Sequence, residues 1–176
     1  MLALESTASP HPVLRTAVLF GVITGALCIA WVLFLYFTGN NPYGPKRTLS
    51  DFFPPIAAVG SQVLLRRYYA DGPGLWKSIG VGLLTALVGA GVAAAGMYTF
   101  ARLTDVRLIE QHLVEARHLL ENAKGLYLKQ PNGAQQYAAT VQGLAHTPAA
   151  FAQDEFVKKI IFGLLLSIPG GVFLRK

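Results

Sequence analysis

The sequence has few charged residues and only one cysteine. Asp, Glu, Lys and Arg make up 14% of its 176 residues and hydrophobic residues make up 53%, whereas a soluble domain carries about 25% charged residues. This deficit excludes a disordered chain and disfavours an ordinary soluble fold. The single cysteine, Cys28, excludes an internal disulfide and a cysteine-rich metal site.

The charge pattern disfavours nucleic acid as a partner, although the formal net charge is +6. The segment 101–155 holds five basic and six acidic residues, so the positive excess lies beside the apolar runs. Lys and Arg next to such runs extend to lipid headgroups, whereas a nucleic-acid surface needs basic residues clustered on one polar face. The pattern therefore indicates a lipid bilayer.

Two long apolar runs predict transmembrane helices at 16–37 and 76–100. Residues 16–37 and 79–100 each form a stretch of 22 residues without a charge. At about 1.5 Å per residue, such a helix crosses a hydrocarbon core of about 30 Å. A cleaved signal peptide is disfavoured for the first run, because its apolar core would be shorter and the residues before it would be basic.

Two shorter apolar runs predict further spans at 48–65 and 156–174. The first of these has an apolar core of only 14 residues with two prolines near its start, so a re-entrant segment is the alternative. The last run follows Lys158 and Lys159, whose long side chains are expected to reach the headgroups and make up the missing length. Four spans are preferred to three.

The polar segment between the last two spans, 101–155, predicts an extramembrane helical hairpin. Apolar residues recur there at alternating steps of three and four, which is typical of one face of an amphipathic helix. The Gln-Pro-Asn-Gly sequence at 130–133 ends this helix, and 134–145 is expected to form a second one. With an N-terminal tail at 1–15, the predicted fold is all-α: a polytopic membrane protein with four transmembrane helices and this hairpin between the third and fourth. The apolar face, called the seam below, consists of Val106, Ile109, Leu113, Ala116, Leu120, Ala123 and Tyr127.

Small residues recur at four-residue steps in the predicted spans and indicate helix packing. Helices approach closely in lipid only where side chains are short. Chance recurrence in a chain with 18 glycines is the alternative, and the pattern does not choose between packing within the chain and oligomerisation. The helix-packing candidates are Gly21, Gly25, Gly82, Ala86, Ala90, Gly163 and Ser167.

The sequence contains no pattern that indicates catalysis, a metal or a cofactor, since phosphate loops, metal-ligand spacings and nucleophile elbows are all missing. His112 and His118 are six residues apart, which puts them about 240° apart around a helix and prevents them from converging on one ion. Ser61 and Gln62 are the polar groups inside the second predicted span. A hydrogen bond to a neighbouring helix is favoured there over a substrate contact.

The order of these features resembles a known family, the Bacteroidota inner-membrane proteins catalogued as domain of unknown function 4199. Members usually have Asn-Pro before the last helix, where this chain has Thr147-Pro148. The resemblance implies a four-helix inner-membrane protein with cytoplasmic termini, a periplasmic insert and no established activity. The shared features are the opening His-Pro-Val-Leu-Arg at 11–15, Gly21, Gly25, the stop at Arg66 and Arg67, Trp76-Lys77 with Gly80 and Gly82, the helical insert, and a last span ending in 168–176.

These observations predict a non-enzymatic integral membrane protein whose hairpin serves interaction. It is expected to be an accessory or assembly subunit that contacts other membrane proteins or a second copy of itself. A small oligomeric transporter or channel is one alternative. A membrane enzyme that uses Asp51, Asp71 or His146 is another, and it would require acids and histidines to converge on one face.

Overall fold

The computed structural model describes residues 11–175, and within them the chain forms α-helices joined by short loops and one 3₁₀ helix. Residues 1–10 of the tail predicted at 1–15 lie outside the described residues. Residues 12–15, expected to belong to that tail, instead open the first helix, because proline is favoured at the first helical position. The elements are α1 (Pro12–Phe37), a 3₁₀ helix (Pro45–Phe52), α2 (Phe53–Arg66), α3 (Leu75–Leu103), α4 (Val106–Tyr127), α5 (Gly133–Gln142) and α6 (Pro148–Phe173).

Three of these helices are long and apolar enough to cross a membrane. They are α1, α3 and α6, with 26, 29 and 26 residues, against the roughly 20 that a bilayer requires. Their outward faces carry many exposed large apolar side chains, which suit contact with lipid. The chain is thus a helical, membrane-spanning bundle.

The second predicted span differs from the expected continuous helix at 48–65. Its α-helical part, α2, begins at Phe53 and has 14 residues, about 21 Å in length. Because a proline nitrogen carries no hydrogen, Pro54 and Pro55 cannot donate to the carbonyls of Ser50 and Asp51 four residues earlier. The preceding residues therefore form the tighter 3₁₀ helix.

The last helix begins earlier than its apolar run. The Thr147 side chain caps α6 by accepting a hydrogen bond from the Ala150 nitrogen at 3.1 Å, with Pro148 at the first helical position. The helix then continues through Pro169 to Phe173. Residues 148–155, expected to belong to the insert, are thus the polar first turns of α6.

The insert itself consists of α4 and α5. Asp105 caps α4 by accepting from the Arg107 nitrogen, and Asn132 adopts a left-handed conformation, with φ of 57°, at the turn between the two helices. The rings of Tyr127 and Tyr137 meet edge to face with centroids 5.8 Å apart. The second helix covers Gly133–Gln142 instead of the expected 134–145.

Candidate functional site

The small residues of α1 and α3 lie where these two helices cross. A Cβ atom placed on Gly21 would lie 2.6 Å from Val88 Cβ, and one on Gly25 would lie 2.5 Å from Val92 Cβ. Carbon atoms in van der Waals contact are about 3.5–4.0 Å apart. Only glycine therefore fits at these two crossings without displacing α3.

The α3–α6 contact is built in the same way. A Cβ on Gly163 would lie 2.5 Å from Ala86 Cβ, and one on Gly82 would lie 2.7 Å from Gln62 Nε2 and 3.1 Å from Ser167 Cβ. Ala90 and Ser167 are fully buried. The seven helix-packing candidates thus lie at contacts between helices of the same chain or are buried within it.

Gln62 of α2 connects three helices of the bundle. Its Nε2 donates to the Ser167 carbonyl of α6 at 2.7 Å and to the Ser78 carbonyl of α3 at 3.2 Å. The expected hydrogen bond to a neighbouring helix is therefore present at Gln62. Ser61 differs, because its hydroxyl donates to the Ala58 carbonyl of its own helix.

A buried ionic cluster joins the 3₁₀ helix to α6. Lys159 is 0% exposed, donates to Ser50 Oγ at 2.9 Å and to Asp51 Oδ1, and pairs with Glu155 Oε1 at 3.0 Å. The expectation that Lys159 extends to the headgroups is wrong for this reason. A buried ammonium group requires paired carboxylates and hydrogen bonds, and the cluster provides both.

Arg47 extends the ionic cluster toward the surface. Its Nη2 donates to Asp154 Oδ2 at 2.5 Å, and its Nε lies 3.7 Å from Glu155 Oε2. Lys158 Nζ lies 2.8 Å from the same Asp154 oxygen. The remaining Arg47 nitrogen, Nη1, is buried and finds no hydrogen-bond partner among residues 11–175.

A groove of about 790 Å³ lies beside Arg47, between the insert and the bundle. Its walls come from α4, from the end of α5 and the loop after it, from residues 43–48 and from the first turns of α6. The groove therefore combines residues of α4 and α5 with residues of α6, one of the three helices long and apolar enough to cross a membrane. Among its lining residues are His112, Glu115, Leu119, Phe151, Asp154 and Lys158.

His112 lies between this groove and the bundle. Its ring is 5.9 Å from the Tyr43 ring and 5.7 Å from the Phe151 ring, measured between centroids, and Asn41 Nδ2 is 3.4 Å from its Nδ1. Burial, assisted by the positive charge of Arg47, lowers the pKa of His112. Nearby carboxylates oppose this effect without cancelling it.

The seam of α4 is less exposed than the rest of the helix along most of its length. Ile109 is buried in a cluster with Tyr43, Phe100 and Phe151, and Leu113 packs against this cluster. Leu120 is half-buried and lines the groove, and Tyr127 contacts Tyr137 of α5. Val106 differs from the other seam residues, since it is 65% exposed.

The residues considered for an enzyme do not form one site. Asp51 precedes α2 and Asp71 follows it, while His146 lines the groove. His112 and His118 each meet an asparagine rather than each other. In residues 11–175, no three His, Cys, Asp or Glu side chains are grouped to hold a metal ion.

The ionic cluster is not predicted by the sequence. Arg47 and Asp51 precede Glu155 and Lys159 by 108 residues, so no local pattern connects them. One signal was present on α6, where residues 155, 159, 163 and 167 follow four-residue steps. Glu155 and Lys159 therefore share a face with the packing residues Gly163 and Ser167.

The model of a protein family described as "Protein of unknown function (DUF4199)" matches residues 19–176, which is nearly the whole chain. No curated protein and no solved structure matches the chain.

Proposed function

The chain belongs to the DUF4199 family, whose description assigns no function, and we propose that it is a non-enzymatic accessory, assembly or interaction subunit of a membrane complex. Its anchor is the helical bundle, and its contact surface is the insert formed by α4 and α5. The occupant of that surface is another membrane protein subunit or a second copy of the chain.

The observation that carries this proposal is the apolar surface left on α4 after the seam has been covered. Val114 is 68% exposed and Leu126 is 66% exposed, and they flank the seam on opposite sides. The seam residue Val106 is exposed as well. Large apolar side chains left exposed on a helix whose other exposed residues are polar support contact with a partner.

The charges of α4 favour protein over the membrane surface as the contact. A helix that lies on a membrane has a polar face rich in Lys and Arg and bulky aromatic residues on its apolar face. Here the exposed polar residues include Glu110 and Glu121 together with Arg117. Tyr127 is the single aromatic residue of the seam.

The experiment compares association in native membranes between surface and control variants of the full chain. Val114→Asp and Leu126→Asp each place a charge on the exposed apolar surface, where substitution costs little folding stability. Gln111→Asp places the same group on an exposed polar position of α4. The proposal predicts that the first two variants lose a stoichiometric partner in copurification at endogenous level and that Gln111→Asp keeps it. Equal recovery of every protein with all three variants would contradict it.

The proposed location is a bacterial inner membrane, with cytoplasmic termini, a periplasmic insert and α2 as the fourth crossing. Two contacts support α2 as a crossing and both chain ends on one side of the membrane. Ala17, Leu65 and Val81 form one core cluster, so the end of α2 lies near the start of α1. The Gly74 nitrogen donates to the Arg175 carbonyl at 3.1 Å, which puts the chain end at the same side. Cysteine-accessibility labelling at residues 71 and 129 from either side of the membrane tests this orientation.

A small oligomeric transporter or channel is the second candidate, and the buried Lys159 favours it. Ionisable residues inside membrane bundles often mark ion or proton pathways. Lys159 is, however, paired with Asp51 and Glu155, which a purely structural role also explains. Proteoliposomes containing wild type or Lys159→Met, assayed for proton and sodium flux, distinguish the two: flux that requires Lys159 supports transport, and absence of flux with wild type refutes it.

A further inference from the structure

A tryptophan contact next to the groove beside Arg47 favours a position near the lipid headgroups. Trp31 Nε1 of α1 donates to the Lys46 carbonyl of the 3₁₀ helix at 3.1 Å, and Trp is enriched at the membrane–water interface. Residues 43–45, 47 and 48, on both sides of Lys46 in the chain, contribute to the groove wall. The groove also borders the lipid-facing surface, because Val157 lines it and is exposed where the apolar outer face of α6 begins.

The charged side chains of the groove balance each other. Arg47 and Lys158 contribute two positive charges, and Glu115 and Asp154 contribute two negative ones. All four influence His112 electrostatically, so they surround one region of the groove. A simple anion would meet two carboxylates there, whereas a ligand carrying both charges would find a partner for each.

Arg47 has an unused donor at this groove. Its side chain is 7% exposed and two of its nitrogens face Asp154 and Glu155, while Nη1 is buried without a partner among the described residues. A buried donor left unpaired costs free energy. A phosphate oxygen is the acceptor that guanidinium groups bind most favourably besides carboxylate.

We propose that this groove binds the headgroup of a zwitterionic phospholipid with a primary ammonium group. The phosphate lies beside Lys158 and accepts from Arg47 Nη1 after the guanidinium group turns toward the groove. The ammonium faces Glu115, whose Oε2 also accepts from Asn41 at 2.7 Å. The acyl chains remain in the bilayer next to Val157. The volume of about 790 Å³ lies within the range of about 300–1,000 Å³ for sites that bind small ligands. This site is independent of the interaction surface on α4.

The test titrates lipids into the purified full chain in phosphatidylcholine nanodiscs, with bound lipids counted by native mass spectrometry. Phosphatidylethanolamine should be retained about tenfold over phosphatidylcholine, which has no N–H donor for Glu115, and over phosphatidylglycerol, which has no ammonium. Soluble phosphoethanolamine should not displace the lipid, because it lacks the acyl chains that hold the headgroup at the groove. Equal retention of the three lipids, or displacement by phosphoethanolamine, would overturn the proposal.

Matched variants locate the site. Lys158→Gln and Glu115→Gln change groove residues that are partly exposed and outside the buried part of the ionic cluster. Lys129→Gln and Glu121→Gln make the same chemical changes at exposed positions outside the groove. The first pair should lose most of the phosphatidylethanolamine preference and the second pair should keep it. A site pair that behaves as the control pair does would refute binding in this groove.

Discussion

The contact between Gly163 and Ala86 provides the sharpest test of the helix packing. Gly163→Ala adds a Cβ that would lie 2.5 Å from Ala86 Cβ, about 1 Å inside van der Waals contact. Overpacking of this kind costs about 1–3 kcal/mol. We therefore expect Gly163→Ala to lower the free energy of unfolding by about that amount.

A compensating change separates this clash from other effects. Ala86→Gly removes the opposing carbon, after which the new Cβ meets Ala86 Cα at 3.5 Å and Pro54 Cβ at 3.6 Å, both ordinary contacts. Alone, Ala86→Gly costs about 1 kcal/mol as a glycine within a helix. The double variant should be no less stable than Ala86→Gly, which corresponds to a favourable coupling of about 1–3 kcal/mol.

Unfolding by sodium dodecyl sulfate in mixed micelles, followed by circular dichroism, measures these differences. Gly91→Ala is the matched control, because a Cβ at Gly91 meets nothing within 4 Å, and it should leave stability unchanged or raise it slightly. A free energy of unfolding for Gly163→Ala within about 0.5 kcal/mol of wild type would refute the predicted clash. A loss in the double variant equal to the sum of the two single losses would refute it as well.

Neighbouring lysines on α6 should respond very differently to Lys→Met substitution, as measured by the same unfolding assay. Lys159→Met leaves Asp51 buried without its cation and leaves Glu155 with only Arg47, at 3.7 Å, so it should cost about 3–5 kcal/mol. Lys158→Met, at a partly exposed pair, should cost less than about 1 kcal/mol, and similar losses for the two variants would contradict the buried cluster. The lowered pKa of His112 means that the unfolded state binds more protons, so stability is present above the ordinary value of 6.5 and declines as the pH falls below it. The protection factors of the first half of α4, which compare each exchange rate with the intrinsic rate at the same pH, should fall between pH 7.5 and 5.5 in wild type but not in His112→Asn. An identical response of both would refute this linkage. The groups facing His112 that this comparison must keep intact are Arg47, Glu115, Asp154 and Lys158.

Periodic and local signals in the sequence account for much of the fold. The long uncharged runs predicted α1 and α3, and the Gln-Pro-Asn-Gly sequence at 130–133 predicted the break between α4 and α5. The four-residue recurrence of small side chains placed Gly21 and Gly25 at a helix crossing, because close approach in lipid depends on side-chain size alone.

The features that depend on distant residues could not be predicted in this way. The pairing of Lys159 with Asp51 joins residues 108 positions apart, so burial overrides the usual tendency of lysine to reach water. The groove likewise depends on where α4 and the loop after α5 lie relative to Arg47 and α6, which the periodicity of α4 does not specify. The start of α2 is a local feature, but it follows from the hydrogen that the nitrogens of Pro54 and Pro55 lack, and the hydrophobic run does not indicate it.

Hydrogen exchange across α4 tests the proposed interaction role most directly. The full chain is measured alone in nanodiscs and within native membranes, and the segment Val106–Tyr127 is compared with a free peptide of the same sequence. We predict that in nanodiscs α4 exchanges more slowly than the free peptide, because it packs against α5 and the bundle. In native membranes we predict further protection in the fragments that contain Val114 and Leu126. Identical exchange in nanodiscs and native membranes would mean that nothing covers this surface, and the proposed role as an interaction subunit would fail.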